Sequence, residues 1–276
     1  MEFRTVVDIP KPKFQIDPLE NLLFVGSCFA DGIGQRFKEE HFRVTVNPFG
    51  TMYNPASVVH TLQKLYSPVP SSRFNTYLGS PPIIFLTLGT NHVYRLRTTG
   101  EIVDNCQKRP QRLFIEEQLT VQDCVDYLSS GIELLLQRWE DRVQVVFTVS
   151  PIRYAKYGFH GSQLSKATLL LAVEELQKIF PNCVTYFPAY EIVCDELRDY
   201  RFYQPDMLHP SPQAVEYIWE RLVEVYFSHE AKQFLKEWQP IKKALQHKPF
   251  HPESEAYQQF LADAKQREQE LLERYL

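Results

Sequence analysis

Asn21-Leu22-Leu23-Phe24-Val25-Gly26-Ser27-Cys28-Phe29-Ala30 is an apolar run that stops on a glycine and a serine and then turns amphipathic. It reads as a buried strand that delivers a hydroxyl to the carboxyl end of a parallel sheet, at the N-terminus of a helix. In open α/β sheets, ligands bind just beyond the carboxyl ends of the strands, where helix N-termini point positive dipoles at negative groups. Ser27 is therefore a candidate nucleophile. The competing reading makes it a small residue that ends a strand and caps the next helix, and taken alone that reading is the commoner one.

Apolar runs with strand character recur at Leu22–Val25, Val44–Val46, Ile83–Leu88, Val143–Val149 and Val184–Phe187. Helical periodicity falls between them, at about Asp31–Glu40, Ala56–Tyr66, Val121–Trp139 and Gln163–Ile179, followed by Pro212–Phe227. Strands alternating with helices predict an α/β fold, a parallel sheet covered on both faces and joined by right-handed crossovers. The expected order of its five strands is the flavodoxin-like 2-1-3-4-5, which puts Ser27 at the switch point. Beyond Phe227 the pattern changes to charge-rich helices, about His229–Trp238 and Glu253–Leu276, separated by a connection that Pro240 and Pro249 punctuate. The division expected is an α/β domain over 1–228 and a helical extension over 229–276, the latter an appendage or an oligomer contact.

A serine hydroxyl needs a base, and the base needs a group that orients it. Tyr203-Gln204-Pro205-Asp206-Met207-Leu208-His209-Pro210-Ser211-Pro212 offers both: a carboxylate and an imidazole three residues apart, in a segment that two prolines exclude from a regular helix. One turn brings Asp206 to His209 Nδ1 and leaves Nε2 to accept a proton. Ser211 as N-cap and Pro212 at the first helical position then start a helix with Val215, Ile218, Leu222 and Val225 on its apolar face. The plainer reading of His209 is a loop histidine bonded to Asp206 for local structure.

Cys28 is the rival nucleophile, since a thiol at a helix N-terminus is open to activation. The expectation is Ser27 in the pocket and Cys28 inside. His160, in a glycine-flexed loop, is a pocket-lining candidate as much as a solvated one. Arg153, Arg198 and Arg201 are candidates for binding a carboxylate or phosphate, against the plainer reading of local ion pairs. Tyr203, with Tyr200 and Phe202, is a candidate for stacking on a sugar, against a core role.

The quoted motifs carry a family resemblance. Gly26-Ser27-Cys28-Phe29-Ala30 resembles the signature of the GSCFA family, a branch of the SGNH (GDSL-like) hydrolases, and Asp206-Met207-Leu208-His209-Pro210 resembles that superfamily's Asp-x-x-His block. Pro188-Ala189-Tyr190-Glu191-Ile192, the stretch from Leu197 to Tyr203, Gly158-Phe159-His160-Gly161, Leu164-Ser165-Lys166 and Asn105-Cys106 are also similar to GSCFA sequence. The resemblance implies a three-layer SGNH hydrolase fold and a Ser27–His209–Asp206 triad. It implies an oxyanion hole from the N–H of Ser27, the N–H of Gly50 in Asn47-Pro48-Phe49-Gly50-Thr51, and an asparagine amide. Asn91 fits the amide by register in Gly89-Thr90-Asn91, with Asn105 as the alternate, while His92 replaces the pattern's final aspartate. The family's long segment between the second and third strands is shortened here, across Pro68, Pro70, Pro81 and Pro82, so one pocket edge is expected to be less covered.

The chain has 276 residues, 44% hydrophobic and 23% charged, with a formal charge of -4. That composition is ordinary for a globular protein with a sizeable core and gives no electrostatic reason to expect nucleic acid or an anionic membrane. No signal-like leader or membrane-spanning run is evident, so a cytoplasmic protein is expected. Five scattered cysteines, without metal-ligand spacing, read as reduced thiols, and neither a metal nor a cofactor is called for. With 10 glycines and no Gly-rich phosphate loop, nucleotide binding has little support. The leading expectation is a serine esterase or deacylase acting on an O-acyl, most simply O-acetyl, ester of a small molecule or glycan. The alternatives are an acyltransferase using the same site and a non-catalytic binding or scaffold protein on a hydrolase frame.

Overall fold

A computed structural model of the chain describes residues 4–18, 20–66, 83–106 and 109–275. The shortened segment with Pro68, Pro70, Pro81 and Pro82 lies outside the described residues. Five parallel strands form the central sheet: β1 (Asn21–Gly26), β2 (Arg43–Val46), β3 (Ile83–Leu88), β6 (Gln144–Val149) and β7 (Val184–Tyr186). Their spatial order is β2-β1-β3-β6-β7, the flavodoxin-like order, with the switch point between β1 and β3. A separate antiparallel pair, β4 (His92–Leu96) with β5 (Phe114–Gln118), follows β3. The sequence reading contains neither strand, because HVYRL and FIEEQ lack an apolar run or a clean alternation.

Period-two alternation on buried strands sorts the sheet's side chains onto two faces. Leu22, Phe24, Ile83, Phe85 and Val146 face one layer, with α1 (Cys28–Glu39), the short α5 (Ala189–Glu191), α6 (Pro212–Tyr226) and α7 (His229–Leu245). Leu23, Val25, Ile84, Leu86, Val145 and Phe147 face the other, with α2 (Pro55–Tyr66), α3 (Val121–Trp139) and α4 (Gly158–Ile179). The first layer is aromatic: the Phe24 and Phe85 rings stack at 4.5 Å, and Phe37 meets Trp219 edge-on at 4.8 Å.

Helix ends follow the side-chain caps. Thr120 and Asp123 make a reciprocal capping box at α3, and Ser211 accepts from Ala214 N–H at 3.2 Å where Pro212 opens α6. The buried face of α6 is Ala214, Ile218, Trp219, Leu222 and Tyr226. Val215 and Val225, expected on it, are only partly buried against that core. Pro240 does not end α7, which runs on to Leu245. Proline removes one helical N–H donor, but Trp238 and Ile241 on either side are buried and Trp238 Nε1 donates to Glu39 O at 3.3 Å, so packing holds the helix through it. The fully buried Glu40 accepts from Lys242 at 2.8 Å and Gln239 at 3.1 Å, tying α7 to the end of α1. The last helix, α8 (Glu255–Tyr275), buries only Ala264 and Leu271. Among the described residues no helix is long and apolar enough to cross a membrane.

Three contacts shape the carboxyl edge of the sheet. Gly26 has φ +152, and a Cβ there would lie 2.3 Å from the Thr87 carbonyl oxygen, so β1 and β3 close on each other as only glycine permits. From α4, Ser165 Oγ accepts Asn91 N–H at 3.0 Å, and the fully buried Lys166 Nζ donates to Gly89 O at 2.7 Å, which pins the loop after β3.

Gly26→Ala should lower the unfolding free energy by about 2–4 kcal/mol through backbone strain and steric overlap. Urea denaturation checks this, and a loss under about 0.5 kcal/mol would mean that the two strands separate freely at this point. A second expectation concerns Lys166, whose ammonium is held down to about 7 from 10.5 by burial. Burying its charge destabilises the fold fully below the folded value, and the penalty fades as pH rises from there toward the unfolded value. The stability of the wild type relative to Lys166→Met should therefore rise between about pH 7 and pH 10, and parallel denaturation midpoints across that range would refute a depressed lysine.

Candidate functional site

Ser27 is the N-cap of α1, with extended backbone (φ -68, ψ 176), and its Oγ accepts Phe29 N–H at 3.3 Å. The cap role is thus real. It does not exhaust the residue, because Ser27 also lines a cavity of about 270 Å³ beyond the carboxyl ends of the central strands. His209 lines the same cavity, with Gly89, Ser150, Tyr154 and Lys166.

The loop that brings His209 there is tightly built. Tyr203 and Pro210 form an antiparallel bridge, Gln204 N–H donates to His209 O at 2.7 Å, and Met207 takes φ +58 at the tip. Asp206 Oδ1 accepts the N–H groups of Leu208 at 2.9 Å and His209 at 3.0 Å, while Oδ2 meets His209 Nδ1 at 2.6 Å. Those backbone donations first, and the imidazole after them, hold the Asp206 carboxyl down at about 2. With Nδ1 facing a carboxylate, Nε2 is the ring nitrogen left for the cavity. Arg153 fixes the loop against the end of β6: its N–H donates to Leu208 O and its Nη1 to Met207 O, both at 3.1 Å.

Cys28 also lines the cavity and is half-buried, so the expectation that it turns inside is corrected. Consecutive residues at the start of a helix fan out by about 100° rather than pointing to opposite faces, which lets both reach one cavity. Burial pushes the Cys28 thiol up, away from the thiolate an activated cysteine requires.

The residues expected to complete an oxyanion hole are placed differently. Asn91 is buried, but its Nδ2 donates to Leu119 O at 2.7 Å, and it does not line the Ser27 cavity. The amide serves the turn into α3 instead. Gly50 is exposed, and its N–H donates to Asn47 O at 2.8 Å within its own turn. Asn105 is exposed on the loop between β4 and β5 and is likewise absent from the cavity wall. Ser27 N–H lies 3.4 Å from Thr87 O, a long contact. His92, where the family pattern has an aspartate, is buried, stacks on Tyr157 at 3.6 Å and meets Glu116 at 3.2 Å.

Of the residues expected to bind substrate, Arg153 lines the Ser27 cavity and, with Tyr203, a neighbouring one. His160 is exposed in the first turn of α4 and lines neither. Lys166 is the site residue to which the sequence reading gives no role. It carries a buried amine on the cavity wall, next to a glycine whose Cβ position is 3.6 Å from Ser27 Cβ. A lysine among Leu164, Ser165 and Ala167 on a helix gives no signal of burial. Among the described residues no cluster of His, Cys, Asp and Glu suits a metal ion.

Comparison with known proteins adds a family. The family model described as "GSCFA family" matches residues 21–75 and 70–222, and the one described as "GSCFA domain protein, C-terminal domain" matches residues 238–276, beginning inside α7. No curated protein matches this chain. Solved structures similar to it include a member of the lipolytic protein G-D-S-L family from Veillonella parvula DSM 2008, at 13% identity and a TM-score of 0.46, covering 75% of this chain and 98% of that one. Another is a GDSL-like lipase from Bacteroides thetaiotaomicron VPI-5482, at 12% identity and a TM-score of 0.45, covering 79% and 88%. With both ends of the sheet-forming region and the C-terminal helices matched, the chain belongs to the GSCFA family.

Proposed function

We propose that the protein is a serine hydrolase of carboxylic esters, with Ser27 as nucleophile, His209 as general base and Asp206 as the group that orients the imidazole. The observation that carries this reading is that Ser27 and His209, remote in sequence, line one cavity of about 270 Å³ while Asp206 holds His209 Nδ1 at 2.6 Å. In this reading His209 Nε2 takes the Ser27 proton as Oγ attacks the ester carbonyl, then returns it to the leaving alcohol. Water, activated by the same imidazole, releases the acyl group from Ser27. The O-acetyl ester of a carbohydrate is the simplest substrate in keeping with the family.

Negative charge on the carbonyl oxygen needs donors. With Asn91 and Gly50 engaged elsewhere, the donors nearest the nucleophile are Lys166 Nζ, which donates whether or not it is protonated, and Ser27 N–H, whose existing contact with Thr87 O is long at 3.4 Å. A lysine in this position replaces an amide donor by one whose strength follows pH, and each donor of this kind is worth roughly 10²–10³ in turnover.

A fluorophosphonate probe should add one covalent mass on Ser27. The label should vanish in Ser27→Ala and persist in Cys28→Ala. A folded wild type that takes no label would favour a binding protein on a hydrolase frame, and a label on Cys28 would overturn the serine mechanism. Carboxyl-carbon NMR should give Asp206 a midpoint near about 2. In His209→Ala that midpoint should rise yet stay below the ordinary 3.8, since the two backbone donations persist. Any stability the pair adds is complete above the ordinary value and lost as pH falls through the depressed one.

A further inference from the structure

Against the Ser27 cavity lies a second one, of about 280 Å³, and the two share Ile152, Arg153 and Lys166 in their walls. Two guanidinium cations, Arg153 and Arg198, line the second cavity together with the buried amine of Lys166. Among the described residues none of them has an ion-pair partner. Arg153 Nη1 donates to the Met207 carbonyl, and Lys166 Nζ to the Gly89 carbonyl. Arg198 takes φ +40 and donates its N–H to Val193 O at 3.0 Å, and among the described residues its guanidinium has no hydrogen-bond or ion-pair partner. The one carboxylate on the wall, Asp199, is already satisfied by Arg201, from its N–H at 2.8 Å and its guanidinium at 3.1 Å.

Unneutralised cations on a concave wall focus a positive potential, and guanidinium forks match the oxygens of carboxylates and phosphates. The wall is aromatic as well. The Arg153 guanidinium lies 4.1 Å from the Phe159 ring centroid, with Tyr203 at 5.6 Å and Tyr200 at 5.7 Å. These rings hold the arginine's plane and offer faces to a ring on the ligand. On a chain of formal charge -4 such a patch is a local arrangement, not a consequence of the overall balance.

We infer that this second cavity is an anion-binding subsite, taking a carboxylate or phosphate carried on a ring, and that the esters hydrolysed at Ser27 are anionic at a point remote from the scissile carbonyl. The statement about esters rests on the hydrolase reading above; the binding of anions does not. Calorimetric titration of the full chain at low salt with benzoate, phenyl phosphate and the neutral benzamide tests it. At least one of the anions should bind tenfold or more tightly than benzamide, and whichever does so identifies carboxylate or phosphate. Arg198→Gln should weaken that anion at least tenfold, Arg198→Lys should restore part of the loss, and circular dichroism should show both variants folded. Anions no tighter than benzamide, or an Arg198→Gln protein that binds them as the wild type does, would overturn the subsite. Anion binding through Arg198 with Ser27 unlabelled by fluorophosphonate would leave the subsite standing and remove the hydrolase reading. Labelled Ser27 without anion preference would do the reverse.

Discussion

The close approach of β1 to β3 at Gly26 is the constraint on which the site depends. With no Cβ at that position, Thr87 can sit against the backbone of Gly26, and the chain leaves the sheet at the next residue with Ser27 extended rather than helical. A second lock works from the other side. Asn47 Oδ1 accepts Gly26 N–H at 2.8 Å while its Nδ2 donates to Asp31 Oδ1 at 2.7 Å, so one side chain bridges the end of β1 and the first turn of α1. Asn47 takes φ +41 to do so, a left-handed conformation that asparagine tolerates better than most residues. Sheet closure, helix start and the direction of one hydroxyl are therefore a single local problem, solved by a glycine, a serine and an asparagine.

The other half of the site is made by a loop with little burial. Asp206 and His209 are both substantially exposed, so their ion pair alone would be weak in water. Its geometry is instead set by backbone: the Tyr203–Pro210 bridge closes the loop, two N–H groups seat the carboxylate, and Arg153 anchors Met207 and Leu208 to the end of β6. Arginine suits this task because its backbone and fork reach neighbouring carbonyls together while its plane rests on Phe159. An exposed loop with a rigid backbone thus keeps the His209 imidazole oriented without burying a charge.

Much of the architecture was legible in the chain because it is written in local, periodic signals. Buried parallel strands are continuous apolar runs, and the extents of β1, β3 and β6 follow from them within a residue or two. The Asp206–His209 pair was legible for the same reason, as its geometry closes within one turn. What was not legible is which partner each polar group takes once the chain is folded. Asn91 has the register of an oxyanion donor, yet Leu119 O captures its amide; Gly50 has the right company, yet its N–H closes a turn with Asn47. The direction of an N–H is a tertiary fact. Pro240 misleads in the opposite sense, because a local helix-breaking rule yields to the packing of Trp238 and Ile241.

Lys166 illustrates how such tertiary facts rearrange chemistry. A fully buried ammonium without a carboxylate partner is expensive, and its depressed value near 7 shows the strain of keeping it. A methionine would fill the same space without desolvating an amine, but would leave the Gly89 carbonyl without this donor. Among the described residues its one hydrogen-bond partner, the Gly89 carbonyl, fixes the loop after β3, and the amine also lines both cavities. An anion in the second cavity would favour the protonated amine by offsetting the desolvation that now opposes it. In the proposed mechanism, substrate charge and oxyanion stabilisation meet at this one side chain.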